Sequence, residues 1–231
     1  MALGDHIRPT APVAADALLP GDPRRAMELA NALMERPLMS NLNRGLWGYH
    51  GALADGRELT VQSTGIGGPS AAVVLAELAG HGVRRAIRVG TCTALDPGLA
   101  LGATIVIAAA LGEDGVSAAL GTSTPALPDP VLHDALREAL PECAEAKAVT
   151  LDLLDVPGVV DDRARLLRTG AAAADMCTAP LLALGGRVGV AVGAVLVVAR
   201  DTGGARLGDD ALDRATLAAG TAAAGALGPA R

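Results

Sequence analysis

Three arginines in the first half of the chain have the type and the placement to bind an anion. Arg88 interrupts an apolar run, where a guanidinium is costly unless an anion meets it. Arg25 follows a Pro-Gly-Asp-Pro turn, and Arg44 lies in an Asn-Arg-Gly segment. No acidic motif obviously pairs with these arginines. We therefore expect the anion to be an external ligand, and phosphate is the favoured candidate.

Two glycine-containing turns could bring backbone close to such a ligand. Asp22 and Pro23 are typical of a helix start, whose N–H groups bind anions, and Gly21 permits a close approach. The turn at 64–70 reads Thr-Gly-Ile-Gly-Gly-Pro-Ser, which lacks the G-x-G-x-x-G spacing of dinucleotide sites. A capped helix with solvated arginines explains the first turn equally well. Close packing against another strand explains the second.

Composition narrows the class of protein. The 231 residues are 51% hydrophobic and 19% charged, which indicates a single folded domain that spans residues 1–231. A net charge of −6 argues against a nucleic-acid partner. Three cysteines without a C-x-x-C pair indicate neither a disulfide framework nor a zinc site, and we expect no metal or organic cofactor. The absence of a secretory signal or a stretch long enough to cross a membrane favours the cytoplasm.

Strand-like and helix-like segments alternate, which predicts an α/β fold with much parallel pairing. The predicted strands are 17–19, 59–62, 86–89, 104–108 and 188–199, and the predicted helices are 23–34, 69–79, 130–140, 161–168 and 209–227.

The first half of the chain resembles the nucleoside phosphorylase family, which includes uridine phosphorylase and the hexameric bacterial purine nucleoside phosphorylase. The motifs that carry the resemblance are His6-Ile7, Leu19-Pro20-Gly21-Asp22-Pro23-x-Arg25, Asn43-Arg44-Gly45-x-x-Gly48-Tyr49, Ser63-Thr64-Gly65-Ile66-Gly67-Gly68-Pro69-Ser70 and Ile87-Arg88-Val89-Gly90-Thr91. The resemblance implies a three-layer phosphorylase-type fold, in which helices flank a central mixed, partly barrel-like sheet. It also implies a homo-oligomer built from dimers, a hexamer in the family.

Family membership would assign a role to each of these motifs. The phosphate site would comprise Gly21, Arg25, Arg88 and Thr91 of one subunit and Arg44 of its neighbour, and His6 would reach across the dimer to the sugar 5'-hydroxyl. Arginine forks bind phosphate oxygens in pairs, which fits this role. A phosphate oxygen would attack the anomeric carbon of a nucleoside, giving pentose 1-phosphate and free base.

The second half departs from the family pattern where nucleoside is bound. The family's Glu-Met-Glu segment is replaced by Asp175-Met176-Cys177, and a thiol cannot replace a carboxylate as an acceptor for sugar hydroxyls. The resemblance implies that these three residues contact the nucleoside, with Asp175 as a shorter acid and Met176 under the sugar. Leu154 stands where the family stacks an aromatic ring on the base, and Thr93 replaces a glycine of the base pocket.

The resemblance also implies a residue that assists departure of the base, an aspartate in the purine enzymes of the family and an arginine in the uridine enzymes. The strand ending Val197-Val198-Ala199-Arg200-Asp201 reaches this position, with Arg200 aligned and Asp201 one residue beyond. The resemblance therefore makes Arg88, Arg200 and Asp201 the candidate catalytic residues.

Four interpretations stay open on the sequence. The first is a phosphorylase with an altered nucleoside pocket, and the second is a homologue that binds a phosphorylated ligand or serves as a non-catalytic subunit. The third is a hydrolase that uses water, against which the arginines weigh. In the fourth, Cys92 or Cys177 acts as a thiolate nucleophile.

Overall fold

The computed structural model describes residues 6–154, 156 and 163–228 and has the expected α/β architecture. The strands are β1 (Asp16–Pro20), β2 (Leu38–Asn41), β3 (Gly48–Ala52), β4 (Glu58–Gln62), β5 (Arg85–Ala94), β6 (Thr104–Glu113), β7 (Ala144–Leu151), β8 (Ala173–Asp175) and β9 (Ala191–Arg200). The helices are α1 (Pro23–Leu33), α2 (Gly67–Gly80), α3 (Gly115–Ala119), α4 (Pro130–Ala139), α5 (Arg163–Arg168), α6 (Thr178–Val188) and α7 (Asp209–Ala226). A 3-10 turn covers Asn43–Gly45.

The nine described strands form one mixed sheet in the order β2-β3-β4-β1-β5-β8-β7-β6-β9. An additional parallel pairing of β5 with β9 closes the last five strands into a barrel. Strand β5 therefore belongs to both parts, because it also pairs in parallel with β1 on the open side. The expected mixed, partly barrel-like sheet is confirmed.

Helices cover the sheet on both sides, which completes the three layers. Helices α2 and α6 pack into one hydrophobic cluster with strand side chains such as Ile105 and Leu196. Helices α1, α4 and α7 pack into a second cluster with Ile87 and Val195 on the opposite face. No helix in the described parts of the chain is both long enough and apolar enough to span a membrane.

Several predicted element boundaries are wrong. The apolar run that begins at Val188 is the end of α6 followed by β9, and Gly189 separates the two with a left-handed backbone (φ 73°). Strand β5 continues to Ala94, well past the predicted end at residue 89. The sequence pattern missed β2, β3, β7, β8, α3 and α6, whose small or polar residues blur the apolar period. The start of the helix predicted at 161–168 lies outside the described residues.

Candidate active site

A cavity of about 660 Å³ opens at the carboxyl ends of the parallel strands β1, β4, β5 and β9. This is the edge of an open α/β sheet where ligands bind. Most of the sequence-predicted site residues line the cavity, namely Gly21, Arg25, Arg88, Thr91, Thr93, Leu154, Asp175, Met176, Cys177 and Arg200.

Two loops that follow β1 and β4 form one wall. The N–H of Thr64 donates to the carbonyl of Pro20 (2.8 Å), and the N–H of Gly65 donates to that of Gly21 (3.0 Å). Gly65 adopts a positive φ of 72°, which favours glycine. As predicted, Asp22 caps α1, its carboxylate accepting from the N–H of Arg24 at 2.7 Å. These hydrogen bonds hold the two loops together, so that the loop backbone and the start of α1 line the cavity.

Arg88 has an acidic partner within the protein, so the expectation that no acidic residue pairs with it is wrong. Its Nη2 donates to Asp175 Oδ2 (2.9 Å), and its Nε donates to the hydroxyl of Thr178 (2.9 Å). The pair is buried, with side chains 5% and 0% exposed. The partner is far away in sequence, on β8, which is why the local pattern could not reveal it. Nevertheless Nη1 of Arg88 is buried without a hydrogen-bond partner among the described residues.

Asp175 is committed to interactions within the protein. Its Oδ1 accepts from the hydroxyl of Thr150 (2.7 Å), and its Oδ2 accepts from the hydroxyl of Thr178 (2.6 Å) as well as from Arg88. The backbone N–H groups of Cys177 and Thr178, at the start of α6, also point at this carboxylate. Asp175 therefore orients Arg88, and its predicted contact with a sugar would have to displace one of these donors.

Gly90 on β5 is what makes room for the Arg88 side chain. A Cβ at position 90 would lie 2.6 Å from Arg88 Cζ and 2.6 Å from a methyl group of Leu196. Because the guanidinium crosses this position, any larger residue would displace it. The Arg-Val-Gly sequence thus has a packing explanation that is independent of family resemblance.

Arg25 contributes a second cation to the same wall. Its side chain is 17% exposed, and its nearest carboxylate, Asp22, lies 3.7 Å away. Burial lowers the pKa of Arg25; Asp22 opposes this change, and the positive charge of Arg88 adds to it. Two guanidiniums that repel each other beside an open cavity form a site that an oxyanion would stabilise.

The two cysteines of the site are poor nucleophiles in this environment. Burial raises the pKa of the Cys177 thiol from the ordinary 9.0 to about 11, although Arg88 opposes the change. Burial also raises the pKa of Cys92, and Asp175 adds to the rise. Both groups are thiols near neutral pH, so the geometry disfavours the thiolate hypothesis.

A one-residue bulge shapes the end of β9. Strand β5 pairs Cys92 with Val198 but Thr93 with Arg200, so Ala199 is the extra residue. Such bulges redirect side chains next to functional sites, and Arg200 lines the cavity.

Asp201, predicted as catalytic, is absent from the described residues that line the cavity. Its Oδ1 instead accepts from the N–H of Ala205 (2.8 Å). The sequence reasoning also missed two lining residues, Arg206 and Leu212. Only the chain reversal that follows β9 brings them to the site.

His6 and Arg44 also lie outside the described lining of their own subunit's cavity. The Nδ2 of Asn43 donates to the carbonyl of His6 (3.0 Å). Because Asn43 precedes Arg44 in the chain, this hydrogen bond places His6 and Arg44 on one surface. The ring Nδ1 of His6 lies 2.7 Å from the carboxylate of Glu77. Arg44 is exposed and is the one non-glycine residue with positive φ (57°) among those described.

Comparison with known proteins gives consistent results. A family model described as Phosphorylase superfamily matches residues 16–227. Uridine phosphorylase of Escherichia coli is 40% identical over 101 residues, which are 44% of this chain and 39% of that protein. Guanosine phosphorylase of Halorubrum lacusprofundi is 39% identical over 123 residues, which are 53% of this chain and 49% of that protein. The chain thus spans less than half the length of these curated relatives.

A solved structure extends the similarity to the whole fold. Purine nucleoside phosphorylase from Toxoplasma gondii, crystallised in complex with immucillin-H, superposes with a TM-score of 0.87 and 28% identity. The superposition covers 98% of this chain and 96% of the other. The cavity described above therefore lies in a fold shared with a purine nucleoside phosphorylase whose structure contains bound immucillin-H.

Proposed function

Because the chain belongs to the Phosphorylase superfamily, we propose that it cleaves the N-glycosidic bond of a nucleoside with inorganic phosphate, giving pentose 1-phosphate and free base. The observation that carries the proposal is Arg88, whose Nη1 is buried in the cavity wall without a partner among the described residues. A buried donor on a cation is costly unless an anion meets it.

The proposed phosphate site lies in the part of the cavity that Gly21, Arg25, Arg88 and Thr91 line. Arg88 and Arg25 bind phosphate oxygens, the Gly21 N–H and the Thr91 hydroxyl add neutral donors, and Asp175 holds Arg88 in place. A phosphate oxygen attacks C1′ while the C1′–N bond breaks. The arginines bind and align the nucleophile, so the protein contributes position and charge. The proposed reaction needs no metal or organic cofactor, and we place it in the cytoplasm.

The nucleoside would occupy the rest of the cavity. Met176 would lie under the sugar, and Thr93, Leu154 and Arg200 would surround the base. Cys177 would contact the sugar as a thiol rather than as a carboxylate.

A second copy of the chain would complete the site. His6 and Arg44 lie close together, because Asn43, which precedes Arg44, donates to the carbonyl of His6, and the nearby Leu42 is an exposed apolar residue. Ile66, which is 84% exposed, lines the cavity, so the cavity also presents an exposed apolar side chain. We infer a dimer in which Arg44 contacts the neighbour's phosphate and His6 the neighbour's sugar 5'-hydroxyl. By resemblance to the hexameric members of the family, we propose that such dimers assemble into a hexamer.

The direct test is release of base from a nucleoside panel as phosphate is varied. The rate should saturate with phosphate, and Arg25→Gln should raise the phosphate KM, by about tenfold or more for loss of a charge-assisted contact. Arg214→Gln, which removes an exposed arginine of α7, is the matched control and should behave like wild type. A rate that does not depend on phosphate would instead identify a hydrolase.

One observation favours a second candidate, a non-catalytic protein that binds a phosphorylated ligand. Asp175 is fully engaged within the protein and Cys177 is a buried thiol, so neither is ready to bind sugar hydroxyls. If this candidate is right, no nucleoside is cleaved by the wild type, while Cys177→Glu raises nucleoside affinity. Efficient turnover by the wild-type chain would exclude it.

A further inference from the structure

Three sulfur-containing side chains line the cavity close to the Arg88–Asp175 ion pair. They belong to Cys92, Met176 and Cys177, and both cysteines are 3% exposed. The backbone N–H of Cys177 and Nη2 of Arg88 donate to the same oxygen of Asp175, at 3.2 Å and 2.9 Å. Strand β5 pairs antiparallel with β8, which brings Cys92 opposite Asp175. We call Cys92, Met176 and Cys177 the sulfur-lined wall, and it lies beside the Arg88 guanidinium.

The sulfur-lined wall offers a sugar hydroxyl only weak hydrogen-bond acceptors. Thiol and thioether sulfurs accept weakly, whereas a carboxylate accepts several strong hydrogen bonds. Burial raises the pKa of both thiols, that of Cys177 to about 11, so neither is a thiolate near neutral pH. Sγ of Cys92 moreover donates to the carbonyl of Val197, at 3.7 Å. The side chains of this wall therefore behave towards a ligand as nearly apolar groups.

The carboxylates of the described lining are already engaged within the protein. The carboxylate of Asp22 accepts from the N–H of Arg24 at 2.7 Å and lies 3.7 Å from the guanidinium of Arg25. Asp175 accepts from Arg88, from two threonine hydroxyls and from two backbone N–H groups. No other acidic residue is among the described residues that line the cavity. A sugar hydroxyl beside the sulfur-lined wall thus finds no free carboxylate in the described part of the chain.

The geometry of the proposed reaction brings the pentose to this wall. A phosphate oxygen that attacks C1′ must come within about 3–3.5 Å of it, and C2′ is bonded to C1′. A phosphate that Arg88 binds therefore places C2′ near the side chains beside that guanidinium, which include Met176 and Cys177. A 2′-hydroxyl there exchanges hydrogen bonds with water for weaker ones with sulfur, a cost that a 2′-CH₂ group does not have.

We propose that the sulfur-lined wall makes the protein select 2′-deoxyribonucleosides over ribonucleosides. The inference rests on the proposed function. Cys177 is the specificity-determining residue, because a carboxylate at this position would supply the missing acceptor for sugar hydroxyls. The 2′-CH₂ group of a deoxy sugar instead buries apolar surface against sulfur.

Binding of two pentose 1-phosphates tests this selection without turnover. 2-Deoxyribose 1-phosphate and ribose 1-phosphate, both as α anomers, are titrated into the protein by calorimetry, with inorganic phosphate as the reference. Wild type should bind the deoxy sugar more tightly by about fivefold or more. Cys177→Ser, a near-isosteric change that adds a hydroxyl acceptor, should reduce this preference, and Cys177→Glu should move it towards ribose by about tenfold. Cys143→Ser changes a cysteine outside the described lining and should keep the preference.

The outcomes separate the inference from the proposed function. If wild type binds the ribose derivative as tightly as the deoxy derivative, or more tightly, the inference is wrong and the proposed function stands. A preference that is the same in wild type, Cys177→Ser and Cys177→Glu also overturns the inference. If neither sugar phosphate binds better than inorganic phosphate, the proposed function fails and the sugar selection fails with it.

Turnover supplies a second test with the base held constant. The ribonucleoside that is cleaved fastest is compared with its 2′-deoxy form. Because a 2′-hydroxyl withdraws electrons from C1′, the deoxy bond breaks more readily without any help from the protein. The informative quantity is therefore the change between variants in the ratio of kcat/KM, deoxy over ribo. This ratio should fall by about tenfold in Cys177→Glu and stay constant in Cys143→Ser. An equal ratio in wild type and Cys177→Glu contradicts the inference.

Discussion

Replacing Asp175 with asparagine tests whether the buried ion pair with Arg88 organises the site. The carboxylate accepts hydrogen bonds from the Arg88 guanidinium, from the hydroxyls of Thr150 and Thr178, and from two backbone N–H groups at the start of α6. The amide of asparagine keeps one acceptor oxygen and turns an NH₂ group towards these donors. It also leaves a buried guanidinium without its counter-charge.

The expected loss of stability is large. Removing one partner of a buried ion pair costs about 3–5 kcal/mol. In a chain of this size, each kcal/mol lowers the melting temperature by roughly 2–4 °C, so the Asp175→Asn variant should melt about 6–20 °C below wild type. Phosphate should raise the melting temperature of the variant more than that of wild type, because a bound anion replaces the missing negative charge.

Thermal unfolding followed by circular dichroism, with and without phosphate, measures both effects. Asp209→Asn is the control, because it removes one partner of the exposed ion pair with Arg206, which should cost no more than about 1 kcal/mol. If the melting temperature of Asp175→Asn equals that of wild type or of Asp209→Asn, Asp175 and Arg88 do not form a buried ion pair in which each charge needs the other.

Four further outcomes follow from packing and burial. Gly90→Ala should destabilise the protein by about 1–3 kcal/mol and weaken phosphate binding, since the new methyl would lie 2.6 Å from a guanidinium. In α7, Gly220→Ala should lower the melting temperature because its Cβ would come within 2.2 Å of a leucine of α1, whereas Gly225→Ala meets nothing and should raise it slightly. Iodoacetamide at about pH 8 should label Cys143 and spare Cys177, as mass spectrometry would show. With its pKa raised to about 11 in the folded protein, Cys177 should make unfolding easier as pH rises from about 9 towards that value.

The part of the cavity wall that carries Gly21, Arg25 and Arg88 could be predicted from the sequence because its signals are local. Asp22 and Pro23 mark a helix start, and a charged residue inside an apolar run demands an explanation wherever the chain folds. Both features concern neighbours in the chain, so their geometry follows from short-range rules. The structure places Gly21, Arg25 and Arg88 on the same cavity.

The remaining contacts could not be predicted because they join distant segments. Asp175 reaches Arg88 across 87 positions of sequence, and no periodicity specifies such a pairing. Arg206 enters the site only because a bulge and a hairpin follow β9. The sequence predicted that strand β9 begins at Val188, before its observed start at Ala191. Apolar residues at the end of a buried helix and in a buried strand look alike in sequence.

The position of β5 in the sheet has a consequence for motion. This strand pairs with β1, β8 and β9 at once, so it cannot separate from one part of the fold without disturbing the other. Amide hydrogens around Arg88 should therefore exchange with solvent only when the whole domain unfolds. The proposed anion site would then stay assembled in the absence of a ligand, and slow exchange at β5 would report the global stability of the protein.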